Sequence, residues 1–514
     1  MQVKNLTITH IKDNRVILQD LNFTLNPGDK MAIIGEEGNG KSTLLKLIYD
    51  ESLVEDYVDY TGEIIKNNVS IGYLPQELQN VDKDCSVYEF MCKSPQFYDA
   101  NPAELAQISR TLQIPLELFY SQQLMGQMSG GEKIKIQLAR LLLNHPDILL
   151  LDEPSNDLDM GTVAWLETFI QKADMPILYI SHDEVLLEKT ANKIIHLEQI
   201  KRKTQARSTV AKVSYKEYVD RRITGLAHQE QVAKKERSDY QKQQEKFRQI
   251  QQKVEHQQNV ISRQDPFGGA NLKRSMHRVK AYEKRFEKAY ENMTEIPETE
   301  DAIFIKFGEN IRIPQGKIVL DYHLPELIIK DENEEKCLAK EIHLYVQGPE
   351  KICIIGKNGC GKTTLLRKIA QELAVRKDLK VSYMPQNYEE CLDETITPIE
   401  FLTVTGDIEE HSRIRTYLGS MKYTADEMSH PIKELSGGQR AKLLLLQMSM
   451  SGSEVLILDE PTRNFSPLSN PVIREMLKEF GGAIISISHD RKYMEEVAEK
   501  IYELTEKGLE LVRK

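Results

Sequence analysis

The stretch Gly35-Glu-Glu-Gly-Asn-Gly-Lys-Ser42 decides the fold. It fits the pattern G-x-x-x-x-G-K-[ST], follows the apolar run Met31 to Ile34 and precedes a helical pattern that begins Thr-Leu-Leu. That order of strand, loop and helix is typical of a phosphate-binding loop (P-loop), whose backbone N–H groups surround phosphate oxygens while its lysine neutralises them. The pattern returns at Gly356-Lys-Asn-Gly-Cys-Gly-Lys-Thr363. Two matches in this context predict an α/β protein with two P-loop domains.

A duplication organises the chain, because three pairs of short motifs recur 307 positions apart. The pairs are Ser129-Gly-Gly131 with Ser436-Gly-Gly438, Asp152-Glu153 with Asp459-Glu460, and Ser181-His182 with Ser488-His489. The offset is 310 for Gln76 and Gln386 but 321 for Lys41 and Lys362. We therefore predict two copies of one domain, residues 1–199 and 300–514. The first carries about 11 extra residues between its lysine and its glutamine.

Two carboxylates follow each buried strand pattern, at Asp152-Glu153 and Asp459-Glu460. Hydrolysis of a nucleotide requires a carboxylate that organises Mg²⁺ and a group that orients the attacking water. We assign the first role to the aspartates and the second to the glutamates, with Gln76 and Gln386 completing the contacts to metal and water. The Ser-Gly-Gly motifs open helices, whose N-termini suit a γ-phosphate. An ATPase with ATP and Mg²⁺ as cofactors is predicted.

With these motifs the sequence resembles the ATP-binding-cassette (ABC) superfamily. The resemblance implies head-to-tail pairing, in which the Ser-Gly-Gly signature of one copy closes over nucleotide held by the other. One site joins Lys41, Asp152, Glu153 and His182 to Ser436 and Gly438, and its twin joins Lys362, Asp459, Glu460 and His489 to Ser129 and Gly131. An aromatic ring normally stacks on adenine in this superfamily; here the first copy has His10, and the second has no aromatic residue that aligns.

The residues implied by this resemblance fall into three sets. The catalytic set is Glu153, Glu460, His182 and His489. The ATP-binding set is Gly35, Gly38, Gly40, Lys41, Ser42, Thr43, Gln76, Ser129, Gly130, Gly131 and Asp152, with Gly356, Gly359, Gly361, Lys362, Thr363, Thr364, Gln386, Ser436, Gly437, Gly438 and Asp459. The Mg²⁺ set, bound together with ATP, is Ser42, Gln76, Asp152, Thr363, Gln386 and Asp459.

Residues 200–299 between the copies predict a helical linker. Ser214 and Glu217 fit a capping box, and Ala233, Tyr240, Phe247, Val254 and Ile261 recur every seven residues, as do Leu272, Val279, Phe286 and Met293. Pro266 and Gly268-Gly269 interrupt the repeat. An antiparallel coiled-coil hairpin with its tip at about 261–272 is predicted. Residues 201–290 hold 23 Lys and Arg against 10 Asp and Glu, although the whole chain has a net charge of −11. A polyanionic partner or a solvated charged helix would explain this excess.

Other features of the sequence limit its location. Nothing in it reaches the roughly 18 consecutive apolar residues of a membrane-spanning helix, and the N-terminus alternates like a strand without a leader peptide. A cytoplasmic protein without a membrane or DNA partner is predicted. The six cysteines lack C-x-x-C spacing, so we expect reduced thiols, mostly buried.

Two cassettes joined by a basic helical hairpin resemble the ABC-F branch, the ribosome-binding ATPases. The segment Thr462-Arg-Asn-Phe-Ser-Pro467 is similar to the antibiotic-resistance group of that branch. That resemblance implies a monomer whose cassettes pair and whose hairpin enters the exit-tRNA site of the 70S ribosome, contacts rRNA and P-site tRNA, reaches toward the peptidyl-transferase centre and promotes release of a bound drug. Tip residues Arg263, Pro266, Phe267 and Leu272 are the expected contacts, although Phe267 equally fits a contact that closes the hairpin. Cations on the hairpin are expected to bind phosphates: Arg237, Lys242, Lys246, Arg248, Lys273, Arg274, Arg278 and Lys280.

Three alternatives remain open. One is a housekeeping ABC-F translation factor that relieves stalled ribosomes without any drug. Another is the ATPase subunit of a drug exporter. The third, a DNA-repair or chromosome-maintenance ATPase, is disfavoured because such proteins insert longer coils or zinc modules inside a cassette.

Overall fold

A computed structural model describes residues 1–156, 158–201, 203–260, 274, 277, 281–282, 284–285, 294, 307–308, 311–330 and 335–513. The chain divides into two compact units. One comprises Met1–Tyr215 and Glu300–Lys514, and the other comprises Lys216–Thr299. Both P-loop domains, here called the first and second cassettes, lie in the former unit.

The first cassette is built on a largely parallel sheet with the strand order β5-β6-β7-β3-β8-β9, in which β9 runs antiparallel to β8. Strands β3, β6 and β7 are buried along their whole length, which explains why each reads as a continuous apolar run. A second, antiparallel sheet has the order β2-β1-β4. The strands are β1 (Gln2–His10), β2 (Val16–Thr24), β3 (Lys30–Ile34), β4 (Val58–Ile65), β5 (Ile71–Leu74), β6 (Ile148–Asp152), β7 (Ile177–Ile180), β8 (Lys193–Ile200) and β9 (Gln205–Ala211).

Helices surround this sheet and carry the predicted motifs at their starts. The helices are α1 (Lys41–Tyr49), α2 (Asn80–Lys83), α3 (Val87–Cys92), α4 (Gln96–Asp99), α5 (Pro102–Leu112), α6 (Gly130–Leu143), α7 (Met160–Lys172) and α8 (Glu184–Thr190), with 3₁₀ turns at Glu51–Leu53, Leu116–Tyr120 and Met125–Gln127. The P-loop lysine begins α1 directly after β3 and its loop. The signature serine, Ser129, caps α6 in a capping box with Glu132.

The unit between the cassettes is described mainly by one long helix, α9 (Tyr215–Val260), which begins directly after Ser214 as predicted. Along it, Ala233 is buried and Tyr240 and Phe247 are partly buried, whereas most of their neighbours are exposed. The N–H of Thr294 donates to Glu236 Oε2 at 2.7 Å, so the chain returns to α9 after the predicted break. The hairpin stays a prediction, since the second heptad run and tip residues Arg263, Pro266, Phe267 and Leu272 lie outside the described residues.

The second cassette repeats the topology of the first, with the strand order β13-β14-β15-β12-β16-β17. Its strands are β10 (Ile318–Lys330), β11 (Glu335–Gln347), β12 (Lys351–Ile355), β13 (Val381–Met384), β14 (Val455–Asp459), β15 (Ala483–Ile487), β16 (Lys500–Thr505) and β17 (Gly508–Arg513). Its helices are α10 (Lys362–Ala374), α11 (Pro398–Leu402), α12 (Ile408–Ser420), α13 (Ala425–Ser429), α14 (Gly437–Ser451), α15 (Asn470–Glu479) and α16 (Arg491–Glu496), with 3₁₀ turns at Tyr388–Glu390 and Ile432–Glu434. The predicted α/β class with two tandem cassettes is confirmed.

Strand β4 accounts for the extra residues of the first copy. In the first cassette the chain passes from α1 through β4 to β5, and β4 pairs with β1. In the second cassette the longer helix α10 leads to β13, and the described residues between them form no strand. The insertion therefore widens the antiparallel sheet and leaves the order of the central strands unchanged.

Buried ion pairs join the two cassettes. Arg474 of α15 is only 2% exposed and bonds Glu184 of α8, and its Nε donates to Glu496 at 2.9 Å. Arg491 of α16 similarly pairs with Glu167 and with Asp183 of the first cassette. Burial raises the pKa of Glu184 above its usual value even beside Arg474. The ionised form of Glu184 is therefore stabilised by two cations of the second cassette, Arg474 and Lys492.

The expectation for the cysteines is wrong in one respect. All six are free, as predicted, but only Cys353 is buried, whereas Cys337 and Cys391 are exposed. Cys353 lies on the central strand β12, while Cys337 lies on β11 and Cys391 follows a 3₁₀ turn.

Within the part of the chain that the structure describes, no helix is long and apolar enough to cross a membrane.

We predict that Arg474→Ala lowers the free energy of unfolding by about 3 kcal/mol, the lower end of the range for a broken buried pair, because the carboxylate of Glu184 keeps only Lys492, at 3.1 Å, as an ionic partner. Urea unfolding followed by circular dichroism measures the change. Lys340→Ala is the matched control. It removes a pair with Glu326 whose two side chains are 63% and 48% exposed, and should cost less than about 1 kcal/mol. Equal losses in both variants would contradict the prediction.

Candidate active site

Both P-loops have the geometry of a phosphate cradle. Gly35 has φ 146°, and a Cβ there would lie 2.2 Å from the carbonyl oxygen of Leu197, so no larger residue fits. The Lys41 ammonium donates to the carbonyls of Gly35 at 2.8 Å and Glu36 at 3.0 Å. In the second cassette Lys362 makes the equivalent bonds to the carbonyls of Gly356 and Lys357. Each ammonium is thus held across the loop whose N–H groups would bind the phosphates of a nucleotide.

The hydroxyl at the start of each P-loop helix meets the aspartate that ends a buried strand. Ser42 Oγ donates to Asp152 Oδ1 at 2.9 Å, and Tyr73 donates to the other carboxylate oxygen at 3.3 Å. In the second cassette the Thr363 hydroxyl bonds Asp459, whose buried Oδ2 has no hydrogen-bond partner among the described residues. Hydroxyl and carboxylate oxygens are the ligands that Mg²⁺ prefers, and the buried oxygen of Asp459 suits a metal-bound water. The residues present therefore fit Mg²⁺ bound with ATP.

The adjacent glutamates have a strained backbone. Glu153 has φ 49° and Glu460 has φ 53°, in the left-handed region that non-glycine residues rarely adopt. Each strand ends at the preceding aspartate, and the left-handed conformation turns the chain away from the strand direction at the glutamate. Glu153 accepts from Gln76 Nε2 at 3.2 Å and from Asn156, and His182 Nε2 lies 3.2 Å from its other oxygen. An ordered carboxylate of this kind is suited to orient a water molecule.

At the first site, the signature of the second cassette faces the P-loop of the first. Ser436 caps α14 in a capping box with Gln439. In the first turn of the same helix, the N–H of Gly438 donates to Glu37 Oε2 of the first cassette at 2.6 Å. His182 Nδ1 lies 2.7 Å from the carbonyl oxygen of Phe465. The structure therefore brings the predicted first-site residues together across the two cassettes.

At the second site, a cavity of about 820 Å³ lies between the P-loop of the second cassette and the signature of the first. Its wall from the second cassette includes the P-loop, both carboxylates, Gln386 and His489, and its wall from the first includes Ser129 and Gly130. The Glu460 carboxylate accepts from the His489 N–H at 3.2 Å. The cavity has room for a nucleotide between P-loop and signature.

The family can now be assigned. The model of the ABC transporter family matches residues 18–156 and 339–463, which together make up just over half of the chain. This chain belongs to the ABC transporter family. It binds ATP through two cassettes, and the prediction of an ATPase is confirmed.

Relatives match almost the whole chain. Over 96% of its length it is 26% identical to ABC transporter F family member 5 from Arabidopsis thaliana, covering 73% of that protein. Over 96% it is 28% identical to the probable ATP-binding protein YheS from Escherichia coli K12, covering 77%. With two cassettes in one chain, these matches identify an ABC-F family ATPase. A crystallised complex of the archaeal ribosomal stalk protein aP1 with the ribosome recycling factor aABCE1 matches 99% of this chain and 90% of that chain, with a TM-score of 0.60 and 16% identity, a likeness of fold.

Strand register identifies the second-copy counterpart of His10, which sequence alignment missed. In the first hairpin His10 lies opposite Arg15, since the His10 N–H donates to the Arg15 carbonyl. Adding the P-loop offset of 321 to Arg15 gives Lys336, and in the second hairpin Lys336 lies opposite Ile329. Ile329 lines the second-site cavity. The aliphatic residue Ile329 therefore occupies the place in the second cassette that corresponds to His10 in the first.

The two glutamates predicted to be catalytic differ in their electrostatics. Burial raises the pKa of Glu153, but the hydrogen bond and charge of His182 outweigh it and bring that pKa down to about 2. Burial raises the pKa of Glu460 to about 8, because the Arg463 charge and the His489 N–H compensate only in part. Burial also raises the pKa of Asp152 to about 6. Identical motifs thus hold glutamates with opposite preferences for the proton.

This difference gives a prediction for the nucleotide-free protein at pH 7 in EDTA. The lowered pKa of Glu153 stabilises the fold above the unfolded pKa of about 4.3, an effect lost only as the pH falls toward 2. The raised pKa of Glu460 costs stability above that value, increasingly up to pH 8. Glu153→Gln should therefore lower the thermal midpoint and Glu460→Gln should raise it, each by a few degrees, since about 1 kcal/mol shifts such domains by about 2–4 °C. Differential scanning calorimetry checks this, and shifts of the same sign would refute it.

Proposed function

We propose that this ATPase binds the ribosome and inserts its linker from the exit-tRNA site toward the peptidyl-transferase centre, where it promotes release of bound antibiotics. The observation that carries the proposal is the 46-residue helix α9, which follows the first cassette in sequence and carries exposed cations. Lys242, Lys246 and Arg248 are exposed, and they lie in the stretch of the chain with the excess of positive charge. Cations in this arrangement favour the phosphates of RNA.

The relatives support the proposal in general terms. The archaeal ribosome recycling factor aABCE1, which shares the fold, forms a complex with the ribosomal stalk protein aP1, so the paired-cassette fold is compatible with ribosome binding. The antibiotic-release step rests on the Thr462–Pro467 segment, which resembles the resistance group. Release of a drug would also require the linker tip, residues 261–272, to contact rRNA or P-site tRNA.

The nucleotide sites would act as a clamp, in which bound ATP closes the two cassettes and its hydrolysis sets when they open. Lys41 and Lys362 would bind the β- and γ-phosphates, and Mg²⁺, held by the hydroxyl and aspartate pairs, would neutralise developing charge. Glu153 and Glu460 would orient the attacking water, with His182 and His489 beside them. Because each site takes its signature from the opposite cassette, bound ATP favours the closed pair and hydrolysis favours its opening. The closed form would stay on the ribosome and the open form would leave it.

We expect the double variant Glu153→Gln with Glu460→Gln to be trapped on ribosomes in ATP, because it binds the nucleotide but cannot hydrolyse it. Pelleting of 70S ribosomes through sucrose measures this, and the trapped fraction should fall steeply with added salt. Lys41→Ala with Lys362→Ala, which weakens phosphate binding, is the control and should stay in the supernatant. No enrichment of the trapped variant with ribosomes would contradict ribosome binding.

Drug susceptibility tests the finer part of the proposal. Expression of the protein should raise the inhibitory concentration of at least one class among lincosamides, pleuromutilins, streptogramins A, macrolides and phenicols by about fourfold or more, and the Lys41→Ala, Lys362→Ala control should not. Trapping without any change in susceptibility would favour the housekeeping translation factor. Resistance accompanied by lower drug accumulation in the cell and by a membrane partner would favour the exporter subunit.

A further inference from the structure

The first P-loop carries two carboxylates that the second loop lacks. Glu36 and Glu37 correspond, at the P-loop offset of 321, to Lys357 and Asn358. Glu36 is only 6% exposed, and both glutamates contact the second cassette. The P-loop pattern allows any residue at these two positions, so phosphate binding by the loop does not require the two glutamates.

Glu36 is held by the divergent segment of the second cassette. Its carboxylate accepts from Ser466 at 2.8 Å and from Ser469, and Lys442 Nζ lies 3.7 Å away. Burial raises the pKa of Glu36, but Lys442 and the two hydroxyls outweigh it and hold that pKa below its usual value. Glu36 is therefore anchored as an anion.

The same comparison explains why that segment diverges. At the offset of 307, the first cassette has Asp159 and Thr162 where the second has Ser466 and Ser469. An aspartate at position 466 would place a second carboxylate against Glu36, and like charges at that distance repel. The serines of the second cassette are thus matched to the glutamate of the first P-loop.

Glu37 accepts a hydrogen bond from the Gly438 N–H, the same donor that a γ-phosphate would bind. It accepts from Gly438 near the start of α14, and a Cβ at Gly437 would lie 3.0 Å from the same carboxylate oxygen. Exposed N–H groups at a helix start bind anions, and the ABC pairing directs the γ-phosphate of first-site ATP to this signature. Carboxylate and phosphate therefore compete for one donor. ADP has no γ-phosphate and does not enter this competition.

We propose that Glu37 sets how strongly the first site prefers ATP to ADP, because its carboxylate has to leave the Gly438 N–H before a γ-phosphate binds there. Glu36, anchored by Ser466 and Ser469, keeps the loop in the position from which Glu37 reaches the signature. Asn358 brings no charge to the corresponding position of the second loop. The inference requires nucleotide binding alone and is independent of the ribosome.

The test compares a triphosphate and a diphosphate at one site. In full-length protein carrying Lys362→Ala, which weakens the second site, the dissociation constants of the non-hydrolysable analogue AMP-PNP and of ADP are measured with Mg²⁺ by isothermal titration calorimetry. Glu37→Asn should tighten AMP-PNP binding by about tenfold, the ratio that about 1.4 kcal/mol gives, and leave ADP binding within about twofold. Equal shifts for both nucleotides, or no shift, would overturn the proposal.

The reciprocal substitution is the matched control. Asn358→Glu in a Lys41→Ala background should weaken AMP-PNP binding at the second site and leave ADP binding unchanged. Glu37→Gln removes the charge but keeps an amide oxygen that can accept from Gly438, so it should shift the ratio in the same direction as Glu37→Asn but by less, and it replaces that variant if Glu37→Asn does not fold. A purely structural role of Glu37 would instead lower the thermal midpoint without altering the ratio of the two constants, and that outcome also counts against the proposal.

Discussion

The N–H groups at the start of α14 have no partner within their own helix, and what accepts them determines how the cassettes meet. The first N–H groups of any α-helix need an outside acceptor. Ser436 accepts from Gln439, whereas Gly438 donates across the interface to Glu37, 401 residues away in sequence. Because the acceptor belongs to the opposite P-loop, this constraint favours head-to-tail pairing. The His182 contact with the Phe465 carbonyl and the Arg474–Glu184 pair follow from the same arrangement.

Within this shared frame the two sites are chemically different. Glu153 and Glu460 end equivalent strands with equivalent backbone turns. Asn156 bonds Glu153, whereas Arg463 occupies the corresponding position near Glu460. The P-loops differ likewise in charge, and Ile329 replaces His10 at the corresponding position of the second antiparallel hairpin. Duplication preserved the backbone that holds the phosphates, while the side chains around it diverged.

The sequence predicted what depends on neighbouring residues. The loops, the strands before them, the capped signature helices and the start of α9 all follow local rules of spacing and capping, and the structure contains each of them. The role of Ile329 could not be found by a constant offset. Adding 321 to position 10 gives 331, two residues beyond Ile329, because the β10–β11 hairpin continues for one more residue pair, Lys330 with Glu335, beyond the pair that corresponds to His10 and Arg15.

Contacts between the cassettes were equally inaccessible to local patterns. Nothing around Glu36 indicates that its partners are Ser466 and Ser469, over 400 residues later. The burial of cysteines was also predicted incorrectly, since composition alone does not separate a central strand such as that of Cys353 from a surface hairpin such as that of Cys337. These features depend on tertiary packing, which a single sequence does not encode in any short window.

The polar character of the contacts between the cassettes suits the opening and closing that the proposed clamp requires. Buried ion pairs contribute little net stability, because desolvation of the charges offsets most of their attraction, yet removing one partner is costly. Arg474 and Glu184, with side chains 2% and 5% exposed, therefore fix the register of the cassettes without joining them as firmly as an apolar interface of equal area would. When the cassettes separate, both groups regain water, whereas an apolar interface would expose hydrophobic surface. An interface built of matched charges can thus be specific when closed and well hydrated when open, which is what the proposed clamp requires of the two cassettes.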